Sequence, residues 1–337
     1  MLNTHTPPST DRVITGSAGN ALDDLLSPFP VDRFLQEHWS RQGLYIHGDP
    51  AKFARFPDLE RLPALLAGRL CSTRWSSGHA HNAQASVIDR TGHVRWISAP
   101  PSTWPDLFNA GASLCFSAVD HCHEELRRFV HGIAATTRLP GKISTTCYLT
   151  PAHSGSGMHF DAQHVFFMQV AGRKHWTFAQ QAAWQDAPAN IQVSGVASPE
   201  VNGFLQAIGV TLKGPEETGL REATLNAGDV LYLPPGFWHD GRTSDSHSLH
   251  YTLTFMPVDP WHLFVAYLKR RVFASATLRR DLRFVRESGA EDVRDVVEDA
   301  LDELRETVNA LRAQDLEDFY REMSASNSPL RRHFLGV

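Results

Sequence analysis

Gly157-Met158-His159-Phe160-Asp161, followed by Ala162-Gln163-His164-Val165-Phe166-Phe167-Met168-Gln169-Val170-Ala171-Gly172-Arg173-Lys174-His175-Trp176, is the stretch that decides the fold. Val165, Phe167 and Gln169 alternate with Phe166, Met168 and Val170, which is the period of a strand. Gly172 turns the chain, and Lys174 to Phe178 begins the next strand. Residues i and i+2 of a strand share a face. His159 and Asp161 can therefore converge on one point, with Phe160 turned away. Alone, a His-x-Asp pair is more often a surface pair or a turn. Here a second histidine, His239, follows a Gly-Asp turn, an apolar strand and a Pro-Pro-Gly turn. Lys174 sits on the strand that follows the metal strand, and turn-punctuated strand sequence fills the interval. Two histidines and a carboxylate leave three positions open on octahedral iron(II), two for a bidentate 2-oxo acid and one for dioxygen. Closed zinc sites more often use Cys or a further His. The acid's distant carboxylate needs a cation, and Lys174 is placed to supply it.

Working outward, the 337 residues suffice for one large domain and a smaller one. Apolar content of 42% and charged content of 20% are those of a globular protein. A net charge of -5 argues against a protein that coats nucleic acid, and no direct nucleic-acid partner is expected. Cys71, Cys115, Cys122 and Cys147 lack Cys-x-x-Cys spacing, so reduced thiols in the cytoplasm are expected. The N-terminus has neither the basic stretch nor the apolar core of a signal peptide. No apolar run approaches the ~20 residues that cross a bilayer, so no membrane partner is expected.

In chain order, residues 1–22 are polar and rich in Ser, Thr, Pro and Gly, and a disordered tail is expected there. Val31, Phe34, Leu35, His38 and Trp39 mark one face of a helix, and Leu44 to His47 a short strand. Pro57 to Gly68 suggests a small helical region that Pro63 interrupts. A hairpin is expected around Arg90-Thr91-Gly92, a short helix over Trp104–Asn109 and a buried strand over Ala112–Ser117. His123 to Thr136 places Leu126, Phe129, Val130 and Ile133 on a core-facing helical stripe. Lys142 to Thr150 is a strand that leads into the metal motif. Residues 181–222 are less regular, with a helix over Asn202–Ile208, and could form a lid or an insertion. Ser248 to Phe255 alternates strictly, with Leu249, Tyr251, Leu253 and Phe255 on one face and His250, Thr252 and Thr254 on the other. So many short strands imply a closed or double-sheet β structure. After Pro260 the period becomes helical. Residues 259–337 form a helical C-terminal domain with an apolar stripe from Val293 to Leu311, a basic run from Lys269 to Arg286 and an acidic one from Glu291 to Glu322. The charges suit solvated faces and helix-pair complements, and the stripe suits packing against a second copy, which makes a homodimer the expected assembly.

Four segments together resemble the cupin-type JmjC oxygenases, which use iron(II) and 2-oxoglutarate: Tyr148 to Pro151, Gly157 to Asp161, Val165 to Trp176, and Gly228 to His239. Phe34 to Trp39 and Leu44 to Ile46 look like the ribosomal oxygenase branch in particular, which hydroxylates residues of ribosomal proteins. The resemblance runs from about residue 30 to 258. It implies a mainly β fold, a double-stranded β-helix (jelly-roll or cupin, JmjC-type) core over 23–258 with flanking helices and the helical C-terminal module. It implies that His159, Asp161 and His239 bind iron, and that Lys174 pairs with the distal carboxylate of 2-oxoglutarate. Tyr148 and Thr146, two apart on one strand, would hydrogen-bond that co-substrate. The implied reaction is hydroxylation of an amino-acid side chain in a protein or peptide, with dioxygen as the second co-substrate. A ribosomal protein is one candidate substrate, and demethylation is a variant of the same chemistry. In that branch a winged-helix domain follows the helical region, and the tail here leaves little room for one. Two other readings stay open: a metal-dependent cupin acting on a small molecule without 2-oxoglutarate, and a cupin binding module without turnover.

Overall fold

The computed structural model describes residues 20–62, 83–88, 94–98, 100–139, 141–196, 198–256, 258–281 and 291–325. The expected tail over 1–22 lies outside these apart from its last three residues. Outside them too are Cys71, Pro63 and the rest of the helical region beyond residue 62, the Arg90-Thr91-Gly92 turn, and Arg283 and Arg286.

The chain enters through α1 (Ala21–Leu26), α2 (Val31–Glu37) and β1 (Leu44–Ile46). The hairpin of β2 (Ala83–Ile88) and β3 (Val94–Ser98) follows, with Ile88 opposite Val94. Next come α3 (Trp104–Asn109), β4 (Ser113–Ser117), α4 (Glu124–Thr137) and β5 (Ile143–Thr150). The central run is β6 (His159–Phe160), β7 (His164–Ala171), β8 (Lys174–Ala179) and β9 (Ile191–Gln192). Two helices, α5 (Val193–Val196) and α6 (Pro199–Ala207), precede β10 (Leu220–Leu225), β11 (Val230–Leu233), β12 (His239–Arg242) and β13 (Ser248–Phe255). The chain closes on α7 (Pro260–Ala274), α8 (Glu291–Ala310) and α9 (Ala313–Ser324).

All strand pairs are antiparallel. One sheet runs β1-β11-β7-β13-β5-β4-β2-β3 and the other β10-β8-β12-β6-β9. Eight of these strands, β5 to β8 and β10 to β13, make the jelly roll, four in each sheet. The period-two pattern explains the layering. On β7, Phe166 and Met168 join the core under the helices, whereas Val165 and Phe167 join the core between the sheets. Val230 and Tyr232 on β11 take the first side, and Leu231 and Leu233 the second. With both faces covered, the runs Val165–Met168 and Val230–Leu233 carry bulky, largely apolar side chains on both sides. The stripe Leu126, Phe129, Val130 and Ile133 of α4 is buried against the outer face, as expected.

Some expectations need correction. Leu22 is buried in α1, so helix begins before the expected end of the tail. Leu35 is 47% exposed, because α2 packs through Phe34 alone of the predicted stripe's centre, with Phe34 against Phe166 and Tyr232. Within residues 181–222, β9 is bonded to β6, and β10, which begins at Leu220, is bonded along the whole of β8. The Gly228-Asp229 turn holds β1 to the barrel. Asp229 is fully buried and accepts from Tyr45 Oη (2.8 Å), Gly48 N (3.0 Å) and Asn226 N (2.9 Å). Burial opposes ionisation there, but these donors together outweigh it and hold the carboxyl below its ordinary range. Gly228 has φ +93°, and a Cβ would stand 2.0 Å from Asp49 O, so no other residue fits.

Candidate active site

His159 opens β6 and Asp161 follows the strand's last residue, so the i, i+2 relation holds at a strand end. His239 opens β12, where it is the cross-strand partner of His159. The three residues converge: their ligating atoms all lie within 4.8 Å of one another. Each imidazole is oriented by a backbone carbonyl two residues earlier, His159 Nδ1 by Gly157 O (2.8 Å) and His239 Nδ1 by Phe237 O (2.9 Å). A carbonyl only accepts, so each Nδ1 carries the proton and each Nε2 presents its lone pair. His239 Nε2 is buried, 3.5 Å from Asp161 Oδ2, and makes no hydrogen bond. An orphaned buried nitrogen beside a carboxylate is what a bound cation would satisfy. Burial and the neighbouring His239 ring lower the pKa of His159, which keeps it neutral. Burial works to raise the pKa of Asp161, but His239 and His159 outweigh it and keep the group ionised. Neutral imidazoles and an ionised carboxylate form a donor set ready for a divalent metal.

Lys174, at the start of β8, is 2% exposed. Its strand is bonded to β10 and β12, so it reaches the site across β12 and not from a position beside β6. Gly241 makes this possible: a Cβ there would stand 2.9 Å from Lys174 Cε and 2.9 Å from the Trp176 ring. Lys174 Nζ donates to Thr150 Oγ1 (3.1 Å) and lies 5.3 Å from the centre of the Trp176 ring. Burial pulls its pKa down to about 7, with Asp240 resisting. A buried amine held only by a hydroxyl and an aromatic face is a site for an anion.

His159, Asp161 and Lys174 line one cavity of about 320 Å³. Lys174, Tyr148, Thr150, Trp176, His250 and Thr252 line it together with His159 and Asp161. Tyr148 stacks on His250, with ring centres 5.1 Å apart. The Tyr148 phenol is held well above its usual pKa, by the Cys115 thiol first and by burial second, and stays a neutral donor. Two of the predicted residues, His239 and Thr146, are not among the residues that line it. Thr146 lies two residues before Tyr148 on the same strand. Thr150, two residues the other way, holds Lys174 instead. The sequence reading missed Thr150, although the i, i+2 rule that selected Thr146 selects it equally. It also missed His250, Thr252 and Trp176. Their buried His250 Nδ1, Thr252 Oγ1 and Trp176 Nε1 have no hydrogen-bond partner among the described residues. The polar face of β13, legible as alternation, turns out to face the cavity and not solvent.

Residues 133–260 match the JmjC domain family. This part of the chain is a JmjC domain. The JmjC domain holds the three converging residues, Lys174, Tyr148 and Thr150. The chain is 24% identical over 306 residues to the uncharacterized protein YxbC of Bacillus subtilis (strain 168), covering 88% of this chain and 90% of that one. It is 25% identical over 268 residues to ribosomal oxygenase 1 of Gallus gallus, covering 77% of this chain and 40% of that one. It is also 25% identical over 264 residues to a bifunctional lysine-specific demethylase and histidyl-hydroxylase of Culex quinquefasciatus, covering 75% and 37%. The chain therefore spans about two fifths of the length of these two named relatives. Among solved structures, the fold is similar to Escherichia coli YcfD, with a TM-score of 0.56 at 17% identity over 88% of this chain and 72% of that one. A structure titled as YcfD, a ribosomal oxygenase, in complex with cobalt and 2-oxoglutarate gives 0.54 at 17%, over 87% and 70%. At that identity the likeness concerns fold, and it bears out the expected double-stranded β-helix core with flanking helices around the JmjC domain.

Proposed function

We propose that this protein is an iron(II)- and 2-oxoglutarate-dependent oxygenase that hydroxylates an amino-acid side chain in a protein or peptide. His159, Asp161 and His239 hold the metal, and Lys174 holds the distal carboxylate of 2-oxoglutarate. The observation that carries the reading is a converged two-His, one-carboxylate set, two of whose members, His159 and Asp161, line one cavity with the buried Lys174. Tyr148 and Thr150 complete the carboxylate site as neutral donors, with Thr146 assigned no contact. With dioxygen and 2-oxoglutarate, iron supplies the oxidising power to hydroxylate an unactivated C–H bond, the 2-oxo acid leaving as succinate and carbon dioxide. The chain's own groups orient these reactants and exclude water: Phe167 and Trp176, with ring centres 4.0 Å apart, form an apolar wall beside Lys174. A metal cupin that works without a 2-oxo acid has no use for a buried lysine at this place.

The relatives' names favour a ribosomal-protein substrate. A cytoplasmic location is supported by the buried thiols of Cys115 and Cys147, and no helix among the described residues is long and apolar enough to cross a membrane. The helices α7, α8 and α9 form a module that pairs two copies, supported by Trp261 at 68% and Phe273 at 62% exposure on α7 and by exposed Val297, Leu301 and Val308 on α8. The test of the site is anaerobic titration of 2-oxoglutarate into the iron(II) protein. A 2-oxoglutarate-dependent charge-transfer band is expected for the wild type and absent for Lys174→Ala. A wild type with no such band contradicts the proposal.

A further inference from the structure

A second cavity, of about 160 Å³, shares no lining residue with the first among those described. It lies on the opposite face of the larger sheet. The register builds its floor: Ile143 on β5 is the partner of Phe255 on β13, and Phe255 is the partner of His164 on β7, so the three side chains share one face. Trp39 lies over the His164 ring, with centres 3.9 Å apart and planes 7° from parallel, and meets Phe255 edge-on at 5.6 Å. Tyr320 on α9 also lines the cavity, so the space sits where the jelly roll meets the C-terminal helices.

His164 is 3% exposed, and burial pulls its pKa down to about 3, so the ring is neutral. Its tautomer follows from Tyr232. The Tyr232 hydroxyl accepts from the Ser40 backbone N–H at 3.0 Å and lies 2.9 Å from His164 Nδ1. Among the described residues, Nδ1 is the one acceptor for the hydroxyl proton, so Nδ1 accepts and the ring's own proton sits on Nε2. That N–H makes no hydrogen bond among the described residues. Tyr232 is not part of the cavity lining and His164 is, so the ring edge turned to the cavity is the one away from Tyr232, which carries Nε2. A buried donor without an acceptor is costly, and here it meets a space walled mainly by aromatic and aliphatic side chains.

The two features together define an occupant. An apolar cavity of roughly 150 Å³ stays dry and takes a molecule the size of benzene. The donor asks in addition for one acceptor. The charged residue in the lining, Lys142, is exposed, so nothing inside calls for an ion. We propose that this cavity binds a small, neutral, planar molecule of about one aromatic ring, whose carbonyl-type oxygen accepts from His164 Nε2 and whose ring packs against Phe255 and Tyr320. The occupant bridges the barrel and α9. The proposal goes beyond the oxygenase reading and does not depend on it.

The test is calorimetric titration of the full-chain protein in the presence of manganese(II) and 2-oxoglutarate, which keeps the first cavity occupied. The probes are acetophenone and α-methylstyrene, which have the same shape and differ by a CH₂ in place of the carbonyl oxygen. Both are expected to bind, acetophenone about five-fold more tightly. Val258→Phe sets a ring into the cavity and should abolish binding of both. His164→Phe keeps a ring under Trp39 and should remove the five-fold preference while leaving the apolar binding. The two-probe comparison uses the wild type alone, so it does not depend on the folding of either variant. No binding of either probe, equal affinity for the two, binding that survives Val258→Phe, or a preference that survives His164→Phe each overturns the proposal.

Discussion

At the residue scale, the site is two histidines and an acid made ready by their surroundings, beside a lysine made uncomfortable by its own. On the proposed function, removing His239 takes away a metal ligand, and its Nε2 has no hydrogen-bond partner among the described residues. His239→Ala should weaken manganese(II) or cobalt(II) binding by more than ~100-fold, since loss of an outer partner alone costs about 10–100-fold. Equilibrium dialysis measures this, and metal affinity close to the wild type's would contradict the ligand assignment. The pH dependence of Lys174 follows from burial. Its pKa of about 7 in the folded, anion-free site compares with 10.5 for a free lysine. The anion requires the ammonium form, so 2-oxoglutarate affinity should fall as pH rises above about 7, by at most ~10-fold per unit. Binding at pH 8 should take up close to one proton, read by calorimetry in buffers of different ionisation heat. The sign for stability is opposite to that of a paired lysine. Between about 7 and 10.5 the unfolded chain holds this proton and the folded site does not, so the unliganded protein gains stability as pH rises through that window. Lys174→Met should flatten the slope. A wild type that binds 2-oxoglutarate without proton uptake would contradict the burial argument. His159, Asp161, His239 and Lys174 were legible in the sequence because spacing and turns announced them. Thr150 and His250 were not, because a threonine or histidine in a strand announces nothing until the register shows which side is a cavity.

At the scale of elements, β12 and β8 are ladder neighbours, and the glycine at 241 leaves room between them for the Lys174 and Trp176 side chains. Gly241→Ala should push Lys174 and Trp176 aside, weakening 2-oxoglutarate binding by about ten-fold and costing roughly 1–3 kcal/mol of stability. Denaturation and the same titration measure both, and an unchanged affinity would show that Lys174 does not need this approach. The Asp229 turn is a second such device. Asp229→Ala leaves Tyr45 Oη and the Gly48 and Asn226 amides without their acceptor, at a cost of about 3 kcal/mol. An Asp229→Ala protein with wild-type denaturation would count against the turn as an anchor. Strands with a clean alternation, such as β7 and β13, were readable from the sequence with their faces assigned. Residues 181–222 were not: β9 is two residues long and β10 has no apolar alternation, so only their partners β6 and β8 define them.

At the scale of the whole molecule, the jelly roll provides a cavity lined by aromatic residues, and the C-terminal helices, whose Tyr320 lines one cavity with Phe255 and Met256, carry an exposed apolar and charged surface. The basic and acidic runs do pair as helix complements, Arg270 with Glu322 and Arg280 with Asp299, each at 3.0 Å. On the proposed assembly, the exposed apolar residues of α7 and α8 meet a second copy. Phe273→Glu with Leu301→Glu should turn a dimer into a monomer in sedimentation at micromolar concentration. A wild-type monomer would contradict the assembly. Fold class was readable because barrel strands repeat one local pattern; assembly was not, because an apolar stripe looks the same whether it meets its own barrel or another chain. The most direct test of the central claim is conversion of 2-oxoglutarate to succinate by the iron(II) protein on exposure to air, beside His159→Ala and Lys174→Ala. Succinate from the wild type and from neither variant is the expected result. No succinate from the wild type, or equal amounts from all three, would contradict the assignment of this cavity as the site of an oxygenase.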